Sequence, residues 1–197
     1  CWSSDNTDAI QRLYIQCGMS HFYPANIMAS HVSASPNHQT KRVVPLKFRF
    51  DVAMTGRLGM EMKPSDLTEK EMEFAKNAIG TYKSIRPVIQ QGDLYRLISP
   101  YEEKPYVSLL YCTPEKDRAV YFLFRRSYLR DTWEDTRKLA GLDPDRNYMI
   151  REINAANPQK KVYLDGKVVS GRFLMENGFR LNLGQDMSSI VLELIAQ

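Results

Sequence analysis

Two aspartates stand three residues apart in Ser4-Asp5-Asn6-Thr7-Asp8, directly ahead of a helical pattern. A carboxyl group at such a junction can give a proton to a leaving group and then take one from water, and α/β folds carry catalytic side chains where a strand ends and a helix begins. The same residue types also cap helices, because their oxygens accept from orphan N–H groups and negative charge is favoured at a helix N-terminus. Asp8 with Gln11 matches a capping box. That leaves Asp5 without an obvious structural duty.

The other reactive residue types are less organised. His31 and His38 flank the loop His-Val-Ser-Ala-Ser-Pro-Asn-His, a gap across a proline that offers neither a third ligand nor strand or helix spacing, so no metal site is expected. Lining of a polar cleft, with Asn37 and His38 donating hydrogen bonds, suits that loop better. No Gly-x-Ser-x-Gly elbow surrounds any serine, and Gly56 and Gly59 are too sparse for a phosphate loop. The three cysteines, Cys1, Cys17 and Cys112, have unrelated spacings and read as free buried thiols.

The elements that must position these residues fall into two parts. Residues 1–92 alternate helical patterns with short apolar stretches. Ile10, Leu13, Tyr14 and Cys17 mark one face of a helix ending near Gly18, and the box Thr68 to Glu71 opens a second that Pro87 strains. Phe22 to Val32 and Arg57 to Met62 are strand candidates. From Asp93 on, short aromatic and aliphatic runs come at regular intervals, an all-β signature. Asp165-Gly166 suggests a type I′ hairpin between Val162-Tyr163-Leu164 and Lys167-Val168-Val169, and Phe179 to Leu183 alternates like a strand. Seven or so strands predict an antiparallel sandwich or Greek-key sheet. Its aromatics, among them Tyr95, Tyr101, Tyr106, Tyr111, Tyr121, Phe122, Phe124, Tyr128 and Trp133, fit core positions better than a sugar-stacking platform.

At 197 residues, 43% hydrophobic and 25% charged, the chain has the balance of a globular protein with a sizeable core. No apolar run approaches the roughly 20 residues needed to span a bilayer, so no membrane partner is expected. The net charge of +4 is spread over separated basic pairs with acidic neighbours, which argues against a nucleic-acid surface. The compartment stays open between cytoplasm and periplasm.

The blocks Trp2-Ser-Ser-Asp-Asn-Thr-Asp8, His31-Val-Ser-Ala-Ser-Pro-Asn-His-Gln39 and Val52-Ala-Met-Thr-Gly-Arg-Leu-Gly-Met-Glu61, in unbroken order, resemble the C-terminal part of the α-galactosidases of glycoside hydrolase family 36. Gly141 to Tyr148 and Ser170 to Phe179 extend the resemblance more weakly. It implies an α/β plus all-β chain: residues 1–92 as the last β/α units of a TIM-type (β/α)8 barrel, and 93–197 as a C-terminal antiparallel β-sandwich. It also implies a retaining mechanism, with the first aspartate of Ser-Asp-Asn-Thr-Asp, here Asp5, as general acid/base, and Asp8 in that role if the register is shifted. His31, Asn37 and His38 match a motif and become substrate-pocket candidates. The implied partner is an α-galactoside such as melibiose or raffinose, in a full-length enzyme compatible with a homo-oligomer. No cofactor is called for, since two carboxyl groups suffice. The nucleophile motif Lys-Trp-Asp and the stretch Cys-Ser-Gly-Gly-Gly-Arg do not occur in these residues. A fragment inactive by itself is therefore the expectation, with a noncatalytic carbohydrate-binding or assembly module as the alternative.

Overall fold

Asp8 sits in extended conformation at the N-cap of α1, Ala9–Met19, and its Oδ1 accepts from the backbone N–H of Ile10 and Gln11 at 3.1 and 3.0 Å. The computed structural model describes residues 1–127 and 136–197. Contacts divide these into two units, Cys1–Gln91 and Gly92–Gln197.

In the first unit α1 is followed by β1 (Ala29–Ser33), α2 (Leu46–Met54), β2 (Arg57–Glu61), a 3₁₀ turn at Pro64–Asp66 and α3 (Glu69–Gln91). β1 and β2 pair in parallel with His31 opposite Gly59, and α2 makes the crossover that parallel pairing requires. On the far side of β1 from β2's start, the Cys1 carbonyl accepts from the Ala29 N–H at 3.0 Å, so the residues leading into the Asp5 loop run beside β1. The expected strand from Phe22 shortens to Ala29–Ser33. Residues 22 and 23 instead donate back to the Met19 carbonyl, and Pro24 breaks the extension.

Two helices differ instructively from the sequence reading. α2 has no amphipathic period because every residue but Lys47 is buried, Arg49 and Asp51 among them, and a helix buried all round leaves no stripe to read. α3 opens at the expected box, with Thr68 N–H and Oγ1 donating to Glu71 and the Glu71 N–H returning to Thr68 Oγ1. It then runs through Pro87 to Gln91, because Ile85, Val88 and Ile89 on either side of the proline are buried and their packing offsets the lost backbone bond.

In the second unit β3 (Asp93–Ile98), β4 (Tyr106–Cys112), β5 (Arg118–Arg125), β6 (Asn147–Ile153), β7 (Val168–Ser170) and β8 (Ser188–Ala196) form one antiparallel sheet in the order β3-β4-β5-β8-β6-β7. The antiparallel sheet is present, but among the described residues it is single, and no second sheet completes a sandwich. The layer on one face consists of the short helix α4 (Gly171–Glu176) and loops. Leu110, Tyr121, Leu123, Ile150, Ile190, Leu192 and Leu194 project from alternate strand positions onto Leu139, Leu142, Leu164, Leu174, Phe179, Leu181 and Leu183.

That arrangement consumes two segments expected as strands. Phe179 makes an isolated bridge with Arg137, and the chain after it supplies leucines to the core without joining the sheet. Asp165-Gly166 is a turn, but only Gly166 has positive φ (+76°), so it is not type I′. The Asp165 carboxylate accepts instead from the Glu152 N–H at 2.8 Å, and Gly166 N–H donates to the Ile150 carbonyl at 2.8 Å, which draws the turn onto β6. Tyr106, Tyr111, Tyr121, Phe122 and Phe124 are buried, while Tyr101 is exposed; Tyr128 and Trp133 lie outside the described residues. Cys17 and Cys112 are buried, whereas Cys1 is exposed, contrary to the reading of all three as buried thiols.

Candidate functional site

Polar hydrogen bonds tie α1 to β1 and to the α2 region in the first unit. Arg12 and Gln16, one helical turn apart on the buried face of α1, reach across to β1 and α2. Arg12 Nε donates to Gln16 Oε1 at 3.0 Å and its Nη2 to the Ala29 carbonyl at 2.8 Å. Gln16 Oε1 also accepts from Ser30 Oγ at 2.7 Å, and its Nε2 donates to the Val52 carbonyl at 3.0 Å and Thr55 Oγ1 at 2.7 Å. Burial lowers the Arg12 pKa to about 10, opposed by the charge of Glu61. The guanidinium remains charged at neutral pH.

At the C-terminal end of β1 the loop of residues 34–44 meets the loop before α1. Asn37 is the joint. It is buried, its Oδ1 accepts from the N–H groups of Gln39 and Thr40 at 2.9 and 3.0 Å, and its Nδ2 donates to Thr7 Oγ1 at 3.3 Å. Ser33 Oγ donates to the Thr7 carbonyl at 3.0 Å. The amide thus serves as an Asx turn and as a strut between the two loops.

The two aspartates part company here. Asp8 is buried at 1% exposure and fully engaged: besides the two cap bonds it accepts from Thr40 Oγ1 at 2.8 Å and forms an ion pair with Arg42. Asp5 is exposed, and among the described residues its carboxylate has a single hydrogen-bond donor, the indole Nε1 of Trp2, at 2.7 Å. Trp2 in turn lies against the His31 ring, with centroids 4.5 Å apart and planes tilted by 41°. His31, half-buried on β1, is held below the ordinary histidine pKa by burial, with Glu61 opposing and Arg12 reinforcing that shift. Its ring is backed by β2, where a Cβ added at Gly59 would stand 3.1 Å from His31 Cδ2.

Of the residues singled out from the sequence, the structure links Asp5 and His31 through Trp2, and joins Asp8 and Asn37 through Thr40. His38 is in neither group. It is exposed, its carbonyl accepts from Lys41 Nζ at 2.7 Å, and among the described residues its side chain makes no hydrogen bond, ion pair or ring contact. Trp2, Thr40 and Arg42 were not foreseen as partners. The polar triplet Gln39-Thr40-Lys41 after Asn37 gave a turn signal, but nothing in the spacing tied it to Asp8 across more than thirty residues.

Among the described residues no three His, Cys, Asp or Glu side chains gather as they would around a metal ion, and no helix is long and apolar enough to cross a membrane. A cavity of about 240 Å³ in the second unit is lined by Lys104, Ser108, Thr136, Arg137 and Lys138 with Leu97 and Ile98. Its described lining holds no carboxyl group, so it does not compete with Asp5 for acid/base work.

Two family models match the chain: Melibiase over residues 1–92, and the glycosyl hydrolase family 36 C-terminal domain over residues 106–194. α-Galactosidase AgaA of Geobacillus stearothermophilus is 38% identical over 170 residues, covering 82% of this chain and 22% of that protein. A probable α-galactosidase C of Aspergillus oryzae is 35% identical over 198 residues, covering 100% of this chain and 24% of its own length. The crystal structure of the family 36 α-galactosidase AgaB from Geobacillus stearothermophilus superposes with a TM-score of 0.87 at 36% identity, over 99% of this chain and 25% of that one. A doubly substituted AgaA in complex with raffinose gives a TM-score of 0.87 at 34% identity, over 98% and 25%. The chain thus spans about a quarter of the length of the relatives it matches.

Proposed function

The chain belongs to glycosyl hydrolase family 36, and from that premise we propose that it is the part of a retaining α-galactosidase that carries the proton-transferring carboxyl group, with Asp5 in that role. The observation that carries the assignment is the contrast between the two aspartates: Asp8 is buried and committed to a cap, a hydroxyl and an arginine, while Asp5 is exposed with one donor. Asp5 donates a proton to the glycosidic oxygen as its bond to the anomeric carbon breaks. The resulting carboxylate then takes a proton from the water that attacks the galactosyl-enzyme. The nucleophile is a second carboxylate supplied by residues other than these, about 5 Å from the first as retention demands.

The same proposal assigns residues 1–92 to the last strand and helix units of a (β/α)8 barrel and residues 93–197 to a C-terminal β domain. Supporting it are the parallel pairing of β1 with β2, the intervening α2, and the meeting of loops at the C-terminal end of β1, the end at which barrel enzymes place their chemistry. The substrate class, α-linked galactose on oligosaccharides such as melibiose or raffinose, is supported by the relative crystallised with raffinose.

The test is hydrolysis of α-galactosides by the intact protein and its Asp5→Asn variant. Loss of the acid should cost about 10²-fold or more on substrates with poor leaving groups and less on activated aryl galactosides. Unchanged rates on raffinose would overturn the assignment.

A further inference from the structure

We infer that Trp2 is a positioning residue for the Asp5 carboxyl group, and that it selects Oδ2 as the oxygen that carries the reacting proton. The inference rests on the acid/base role proposed for Asp5 and deepens it. An indole N–H can only donate, so the oxygen it faces must accept. Trp2 Nε1 lies 2.7 Å from Asp5 Oδ1. With Oδ1 occupied as an acceptor, the proton of the neutral acid resides on Oδ2, and the donor's direction toward the glycosidic oxygen is set by the plane of the carboxyl group.

A tether positions only if it is itself held. Within this chain Trp2 is 54% exposed, so the chain's own core does little to fix it. Two specific contacts do. The Cys1 carbonyl just before it is bonded to β1 at Ala29, and its ring packs on His31, two residues further along the same strand. His31 has little room to retreat, because Gly59 of β2 stands directly behind it. The sequence of contacts runs from Gly59 through His31 and Trp2 to the Asp5 carboxyl group; the first two stand on the paired strands β2 and β1, and Trp2 and Asp5 lie in the segment ahead of α1. The exposed loop that holds Asp5 therefore borrows its precision from the β1–β2 pair.

The experiment is a double-mutant cycle in the intact protein with Trp2→Phe and Asp5→Asn, assayed on raffinose and on an aryl α-galactoside. Phenylalanine keeps a ring against His31 and removes the donor. With Asp5 present, Trp2→Phe should lower kcat on raffinose about tenfold, the worth of one charge-assisted hydrogen bond, and leave KM within about twofold. The loss should be smaller on the aryl substrate. In the Asp5→Asn background the same substitution should change kcat by no more than about twofold, since a residue acting through Asp5 has nothing left to position. Equal losses in both backgrounds would overturn the inference, as would a raised KM with kcat kept, the signature of a wall that binds sugar. If Asp5→Asn alone leaves activity intact, the fault lies with the acid/base assignment; if it abolishes activity while Trp2→Phe matches wild type, only the positioning role falls.

Discussion

Replacing Gln16 with leucine should destabilise the protein far more than an average surface substitution, because of what it leaves behind. The side chain is 4% exposed and makes four hydrogen bonds. Leucine has similar bulk, so no large cavity opens. Thr55 Oγ1 retains its bond to the Val52 carbonyl at 2.9 Å. The Ser30 hydroxyl and the charged Arg12 Nε, however, lose their acceptor inside the protein. Each stranded buried donor costs about 1–3 kcal/mol, with a charged group at the upper end, and added apolar burial returns about 1 kcal/mol. The net is about 3 kcal/mol. Urea unfolding followed by circular dichroism measures it as a shift in midpoint at constant slope. The double variant Arg12→Met, Gln16→Leu removes both ends of the bond and should be less destabilised than the sum of the singles by about 1–3 kcal/mol. A single-variant loss below about 1 kcal/mol would refute the view that these bonds, and not apolar packing alone, lock α1 to β1.

Asp8→Ala should cost about 2–3 kcal/mol through the lost cap and the Thr40 contact, with the Arg42 pair discounted because that arginine is one-third exposed; the folded fraction should keep its kcat, whereas loss of turnover in fully folded material would transfer the proton-donor role to Asp8. His31 gives a pH dependence whose sign follows from its lowered pKa: the unfolded chain takes up the proton near pH 6.5 and the folded protein only below that. Stability should therefore be full above that value and decline as pH falls toward the lowered folded pKa. His31→Gln should flatten this slope below about pH 6.5 in urea titrations, and an unchanged slope would assign the acid sensitivity elsewhere.

How much of this was legible beforehand depended on whether a feature announces itself locally. The Thr68 to Glu71 box and the Asp8 N-cap are short-range patterns with one physical meaning each, and both formed, although the Asp8 N–H goes to Asn6 Oδ1 and not to Gln11 as a full box requires. α2 left no trace because total burial erases periodicity. Arg12 and Gln16 have the look of a solvated helix face; only the approach of Ser30, Thr55 and two carbonyls makes them interior. The turn at Asp165 and Gly166 failed as a hairpin because a side-chain bond to Glu152 outcompeted the intrinsic preference of the dipeptide. At the candidate site, the residue types pointed to two aspartates, and only elimination and the family resemblance ranked Asp5 first. Their different surroundings come from Trp2 on one side and from Thr40 and Arg42 on the other, contacts spanning three residues in one case and more than thirty in the other.

The split of duties between Asp5 and Asp8 has a practical side for protein engineering. Positions 40 and 42 touch the residue that anchors α1, while positions 2 and 31 form the contacts that lead to Asp5, and among the described residues no side-chain hydrogen bond, ion pair or ring contact joins the two sets. Variants selected for heat tolerance at the first pair and for turnover at the second should combine with nearly additive effects. The segment ahead of α1 that carries both aspartates could then be tuned along both axes through its neighbours, without the usual conflict in which a sturdier active site becomes a slower one.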